Sequence, residues 1–206
     1  CRGADGPGDD QQPFAHVLAF LATLDDPGMV VLATHRELLS SGGAEHAAVA
    51  AVLEREFEVQ AFDRDGAGHA RLLAALAERP RTENCFVVAL SGLKSHLLAS
   101  REITGAVSSP AARLDLTVLH ETVLGAALSE AGGERPELAY TTDAKGLLER
   151  VVSGSSEGGF LLRPLLPEDL YAVCSSGELM PQKSTYFYPK LLTGLLFHLL
   201  TPGEEA

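Results

Sequence analysis

The chain has 206 residues, 46% of them hydrophobic and 21% charged, a globular mix that excludes a collagen-like, fibrous or largely disordered polymer. At this length folding buries about 70% of the extended chain's surface, so core size is not limiting. Sixteen Lys and Arg against 28 acids give a net charge of −12. That charge argues against broad binding to nucleic acid or to an anionic membrane, because phosphate backbones repel an acidic surface.

Residues 1–11, rich in Gly and Asp, read as a flexible lead-in, and 12–203 as a single α/β domain with a candidate sub-boundary near 100–110. Phe14, Val17, Leu18, Leu21 and Leu24 repeat at helical spacing from Pro13 onward, and Asp25-Asp26-Pro27-Gly28 stops that helix. The apolar run 29–33 predicts a buried strand ending in Thr34-His35-Arg36. A helix over 45–56 carries Val49, Val52 and Leu53 on one face; a strand near 57–62, a turn at 63–66 and a helix over 69–79 follow. A hairpin is predicted from strand 86–90, turn Ser91-Gly92 and return strand 93–99. Ser109-Pro110 opens a helix over 111–128 with a Leu116, Leu119, Val123, Ala127 stripe.

The last third alternates: strand 138–141, helix 143–152 capped by Asp143 and closed by Gly154, then strand 159–163. A helix starts at Pro167, with Glu168 and Asp169 in its positive first turn, and ends at Gly177. A loop and a closing apolar run complete the chain. The glycine-rich stretch 153–159 runs from helix into strand, the reverse of a phosphate-binding loop, and reads as a linker. This alternation predicts an α/β fold, a layered mixed sheet with flanking helices.

Cys1, Cys85 and Cys174 are odd in number and far apart, without a C-x-x-C pair. They read as reduced thiols of a cytoplasmic protein, not as a disulfide framework or zinc site. The longest apolar run, 191–200, is broken by Thr193, Gly194 and His198, short of the roughly 18 residues that span a bilayer. The polar start CRGADGPGDDQQP carries no signal peptide. Because it begins at Cys1 without Met, an N-terminal portion is expected to be missing.

One segment departs from the acidic background. Residues 176–203 hold Lys183 and Lys190 against a single acid, Glu178, and crowd Lys183, Ser184, Thr185, Tyr186 and Tyr188 together. Ammonium, hydroxyl and backbone N–H groups are the donors that hold a phosphate or carboxylate. Residues 177–185 read GELMPQKST, a P-loop pattern with Gln182 in place of the second glycine. Pro181 removes a backbone donor, and a helix precedes the segment where a P-loop has a strand. The alternative is an amphipathic loop whose tyrosines pack while its lysines stay in water.

Thr34-His35-Arg36 follows the predicted strand 29–33, and strand ends of open α/β sheets collect ligands. Arg36 could grip an anion bidentately and His35 could move a proton; the plainer reading pairs Arg36 with surface acids. His120, beside the apolar stripe of its helix, reads as a core or boundary histidine, since it has no metal-spaced partner. No H-E-x-x-H, G-x-S-x-G or well-placed G-x-G-x-x-G occurs.

The run MPQKSTYFYPK over 180–190, followed by LLTGL, resembles the signature end of the bacterial and archaeal domain-of-unknown-function family 1015. Leu119-His120 and Thr34-His35-Arg36 resemble family positions less specifically. The resemblance covers most of the chain, its C-terminal signature being the strongest part. It implies a C-terminal portion of a protein about twice this length. The family's N-terminal half is ParB/sulfiredoxin-like, a group that includes free-serine kinases, and carries an Asp-Gly-His-His-Arg motif that this sequence lacks. If that motif holds the reactive groups, this chain alone is inactive.

Two readings stand. In the first the protein is a phosphate- or nucleotide-dependent small-molecule enzyme, by analogy a phosphotransferase acting on an amino-acid hydroxyl. Lys183, Ser184 and Thr185 then bind phosphate, Lys190 adds positive field, Arg36 holds an anionic group and His35 is the catalytic candidate. Its cofactor is ATP or ADP with Mg²⁺, its partners a small anionic ligand and the missing N-terminal domain, and no residue is assigned to metal. In the second reading the chain is a non-catalytic scaffold or homodimerisation domain.

Overall fold

The structure, a computed structural model, describes residues 18–23, 26, 28–40, 44–104, 109–126 and 137–197. The described strands are β1 (Val30–Leu32), β2 (His35–Ser40), β3 (Glu58–Phe62), β4 (Glu83–Leu90), β5 (His96–Glu102), β6 (Glu137–Thr141), β7 (Gly158–Leu162) and β8 (Tyr186–Tyr188). The α-helices are α1 (Ala44–Glu56), α2 (Gly66–Glu78), α3 (Asp115–Val118), α4 (Ala144–Ser153) and α5 (Pro167–Ser175). A 3₁₀ turn, Ala111–Arg113, precedes α3, and a π-helical stretch, Leu119–Leu124, continues it.

Six strands form one sheet in the order β3-β5-β4-β7-β2-β6. The expected α/β layering is present. The expected mixture of strand directions is not, because all neighbouring pairs in the sheet are antiparallel. The reason lies in the crossovers. Helix α2 joins β3 to β4, and α4 joins β6 to β7; each pair points the same way. A third strand, β5 in one case and β2 in the other, is inserted between them.

Helices cover both faces. Phe86, Val88 and Leu90 of β4 pack with Val52 and Leu53 of α1 and with Leu116, Leu119 and Val123. Cys85, Val87 and Ala89, alternating with these, pack with Leu72 and Leu76 of α2 and Leu147, Leu148 and Val151 of α4. The side-chain period of two thus places every residue of β4 from Cys85 to Leu90 in a core. Ala99 and Leu116, on either side of the candidate sub-boundary, share one of these cores.

The caps follow the sequence. The Asp65 and Asp143 carboxylates accept from the Gly68 and Gly146 N–H groups at 2.6 and 2.9 Å. Gly154 closes α4 in the left-handed region at φ 79°. Asp169 Oδ2 accepts from the Leu166 N–H at 2.9 Å where Pro167 opens α5.

Five expectations change. The single helix expected over 111–128 is broken at Leu114, whose backbone is extended, into a 3₁₀ turn and then α3 with its π-helical continuation, and residues 127–128 lie outside the described residues. Residues 18–23 of the helix predicted from Pro13 carry no helix, and the rest of that prediction, like the lead-in 1–11, lies outside the described residues. The strand near 29–33 is not buried in the main sheet; β1 pairs with β8, more than 150 residues away, in a partly exposed two-stranded ribbon. His35 and Arg36 lie not in a strand-end loop but within β2, which pairs with β6 and β7. The sequence HRELLS lacks the alternation that marks a strand, and its polar side chains are buried by their partners rather than by apolar character. Finally, Gly158 and Gly159 are not linker but β7, at the centre of the sheet. No described helix is long and apolar enough to cross a membrane.

Candidate functional site: a lysine- and aromatic-lined cleft

The β1–β8 ribbon leans toward the end of the main sheet where β6 finishes, and a cleft of about 1380 Å³ opens between them. Lys183, Thr185 and Lys190 line it, together with Thr34, Tyr140 and Thr142. Tyr186 and Phe187 of β8 contribute aromatic surface, and Phe20 and Leu192 apolar surface. Asp26 is the acid on this lining, and its Oδ1 accepts from the Gly28 N–H at 2.8 Å.

Lys183 sits in the left-handed backbone region at φ 56°, a conformation that costs a residue with a Cβ on the order of 1–2 kcal/mol. The position is held from behind: Arg36 Nη2 donates to the Lys183 carbonyl at 3.0 Å. Among the described residues the Lys183 ammonium has no ion-pair partner. Lys190 Nζ lies 5.7 Å from the centre of the Tyr186 ring, within cation–π range.

Arg36 is 1% exposed, and among the described residues no carboxylate meets it. Its Nη1 donates to the Thr34 carbonyl, its Nε donates to His120 Nε2 at 3.3 Å, and its guanidinium lies 5.5 Å from the Tyr140 ring centre. Burial holds its pKa down at about 10. Burial also lowers that of His120, with the Arg36 charge adding to the effect, so the ring stays a neutral acceptor. The boundary histidine of the apolar stripe is therefore a hydrogen-bond partner of a buried cation.

His35 lines neither this cleft nor the smaller cavity beside it. Its Nδ1 accepts from the Leu162 N–H at 3.2 Å, tying β2 to β7, and burial, with Arg36 adding, lowers its pKa to about 4. Ser184 is buried and lines the smaller cavity together with Arg36. The geometry thus gathers Lys183, Thr185 and Lys190 in the cleft, puts Arg36 and Ser184 behind it and leaves His35 in the sheet. The GELMPQKST segment leads from a helix into β8, the reverse of P-loop order.

Two features escaped the sequence, and the role of a third, Thr34, was not read from it although the residue was named with His35 and Arg36. Thr34 joins the two spaces. Tyr140 faces the cleft from β6. Arg163 and Asp115 form a buried pair at 2.8 Å, with Arg163 donating also to the Arg79, Pro80 and Glu83 carbonyls. Of the two that escaped, Tyr140 carried a signal, as an aromatic at a predicted strand end, and the Arg163–Asp115 pair carried none. Among the described residues no three His, Cys, Asp or Glu side chains gather as a metal site, and Cys85 and Cys174 are free thiols.

The fold and site define an α/β domain with helices on both faces of an antiparallel sheet and a cation-bearing cleft at one end. A family model described as "Protein of unknown function (DUF1015)" matches residues 1–117, more than half of the chain, so the protein belongs to that family. The matched span includes Thr34-His35-Arg36; the 180–190 run lies beyond it. No curated protein and no solved structure matches the chain.

Proposed function

We propose that the cleft binds a small molecule with an anionic head, a phosphate or carboxylate, and a flat or apolar body. The observation that supports this is Lys183: an ammonium without an ion-pair partner among the described residues, on a strained backbone position, at a large cleft in a chain of net charge −12. A lysine free to scatter into solvent needs no left-handed backbone held by a buried arginine. Tyr140, Tyr186 and Phe187 offer rings against which a planar group can stack. Lys190 adds positive field and Thr185 a hydroxyl. The ligand class extends to ATP or ADP with Mg²⁺, on the family resemblance and the aromatic lining. Phosphotransfer to a hydroxyl rests on that resemblance alone, and His35, buried and neutral, is an unsuitable proton carrier in this conformation.

Calorimetry with ADP, ATP and inorganic phosphate tests the reading. ADP is expected to bind, and Lys183→Ala to weaken it about tenfold or more, the worth of one charge-assisted contact. Unchanged affinity in that variant would remove the proposal. The scaffold reading draws on the exposed side chains of Leu191, Leu192, Leu195, Leu196 and Phe197. A concentration-dependent dimer that responds to none of the three ligands would favour it.

A further inference from the structure

Behind the cleft lies a separate cavity of about 60 Å³, lined by Thr34, Arg36, Arg81, Arg113, Arg163 and Ser184. It has room for about four waters, or for the few heavy atoms of one tetrahedral oxyanion. We infer that this cavity is a seat for a small oxyanion, of phosphate or sulfate size, distinct from the lysine-lined cleft.

The first ground is the Thr34 hydroxyl. Thr34 is only 8% exposed, and its Oγ1 is fully buried without a hydrogen-bond partner among the described residues. A hydroxyl left unpaired in an interior is destabilising, and such groups normally have a partner, in the protein, in ordered water or in a bound ion. Ser184, equally buried, enters no described side-chain hydrogen bond either.

The second ground is charge. Three acids, Glu83, Asp115 and Asp169, also line the cavity, and each already has a partner. Glu83 pairs with Arg79 at 3.3 Å, Asp115 with Arg163 at 2.8 Å, and Asp169 caps α5. Arg163 donates along all five of its N–H directions to Asp115 and three carbonyls. Arg36 donates three of five, leaving two N–H groups and a buried charge that no carboxylate among the described residues balances. Arg81 donates one N–H to the Pro164 carbonyl at 3.2 Å and keeps the rest. What remains around the cavity, among the described residues, is three guanidinium groups with spare donors, Arg36, Arg81 and Arg113, beside the Thr34 and Ser184 hydroxyls, the complement of a tetrahedral anion.

The inference does not rest on the cleft reading, although Thr34 lines both spaces. The test is a thermal melt of the whole chain at constant ionic strength, titrated with inorganic phosphate and, separately, with ADP. Phosphate is expected to raise the Tm saturably where chloride does not. Arg81→Gln and Thr34→Val should each weaken that response about tenfold, one charge-assisted hydrogen bond's worth. Lys183→Ala should leave the response within about twofold, so that failure of the cleft reading shows separately. A response to ADP alone, diminished by Arg81→Gln, would assign the seat to a phosphoryl group reaching past Thr34 instead of a free ion, with the oxyanion chemistry retained. Without phosphate, Thr34→Val, which buries the same volume, should match or exceed the wild-type Tm. A phosphate and ADP response absent in the wild type, or untouched by both cavity variants, would overturn the inference.

Discussion

At the scale of single residues, this protein handles buried charge in three ways. Arg163 and Asp115 neutralise one another, and Asp115 Oδ1 also accepts from the Cys85 N–H at 3.1 Å and from Asn84 Nδ2 at 3.2 Å. Glu37 receives both Arg150 Nε and Nη2 at 2.8 Å and the Ser156 hydroxyl, and the Arg150 bonds hold its carboxyl below the usual range. Arg36, by contrast, is met among the described residues by carbonyls, a neutral histidine and a ring. Removing one partner of a buried pair strands the other. Asp115→Ala should therefore lower unfolding stability by about 3–5 kcal/mol, read from guanidinium denaturation; a loss below about 1 kcal/mol would show that Arg163 finds compensation elsewhere. These pairs join residues 48 and 113 positions apart. No spacing rule connects such distant positions, whereas the local caps at Asp143 and Gly154 could be read directly, because a cap and its helix are neighbours in the chain.

At the scale of elements, β7 shows how a pattern misleads. Gly158 and Gly159 carry the composition of a linker, yet both lie in the sheet's interior. A Cβ on Gly159 would meet Leu147 Cγ of α4 at 2.8 Å, and one on Gly158 would meet Leu90 Cδ2 at 2.7 Å. The glycines are required because α4 and the neighbouring strands approach the β7 backbone so closely. Gly159→Ala should destabilise by about 1–3 kcal/mol through overpacking. In a Leu147→Ala background the same change should cost markedly less, because the colliding atoms are gone. Equal costs in both backgrounds, measured as a double-mutant cycle, would place the strain elsewhere. Helices α1, α2, α4 and α5 were legible because their apolar stripes or terminal residues mark them, whereas residues 18–23 had helical spacing without forming a helix. β2 was not, because its buried Arg36 and Glu37 interrupt any apolar alternation. The split crossovers were not either, since strand insertion depends on pairings beyond the crossover itself.

At the scale of the whole molecule, folding is coupled to pH through neutral histidines. His35 and His96 are buried with pKa values lowered to about 4, and His69, whose Nε2 lies 3.1 Å from that of His96, is lowered in the same direction. An unfolded histidine titrates near 6.5. As pH falls from about 6.5 toward 4, the unfolded chain takes up protons that the folded chain refuses, so stability declines across that window and levels off below it. Each unit of depression corresponds to about 1.4 kcal/mol. The carboxylates of Glu37 and Glu178, held low by their hydrogen bonds, add to the loss only below about 4.5. The urea midpoint should accordingly be lower at pH 5 than at pH 7.5. Equal midpoints would mean that these rings are protonated as readily in the folded protein as in the unfolded one.

Helix boundaries, caps, the apolar faces and the α/β class follow from residues a few positions apart, where backbone geometry turns spacing directly into a surface. The lysine-and-hydroxyl segment near 183 is visible for the same reason, as a local excess of donors in an acidic chain. What surrounds it is another matter. Lys183 meets Arg36 across 147 residues because β1 chose β8 as its partner while β2, two residues further on, entered the main sheet. Strand partners are selected by the packing of the entire chain, and many short apolar strands could have paired in their place. The cleft, the buried arginine and the cavity behind it therefore belong to the tertiary structure alone.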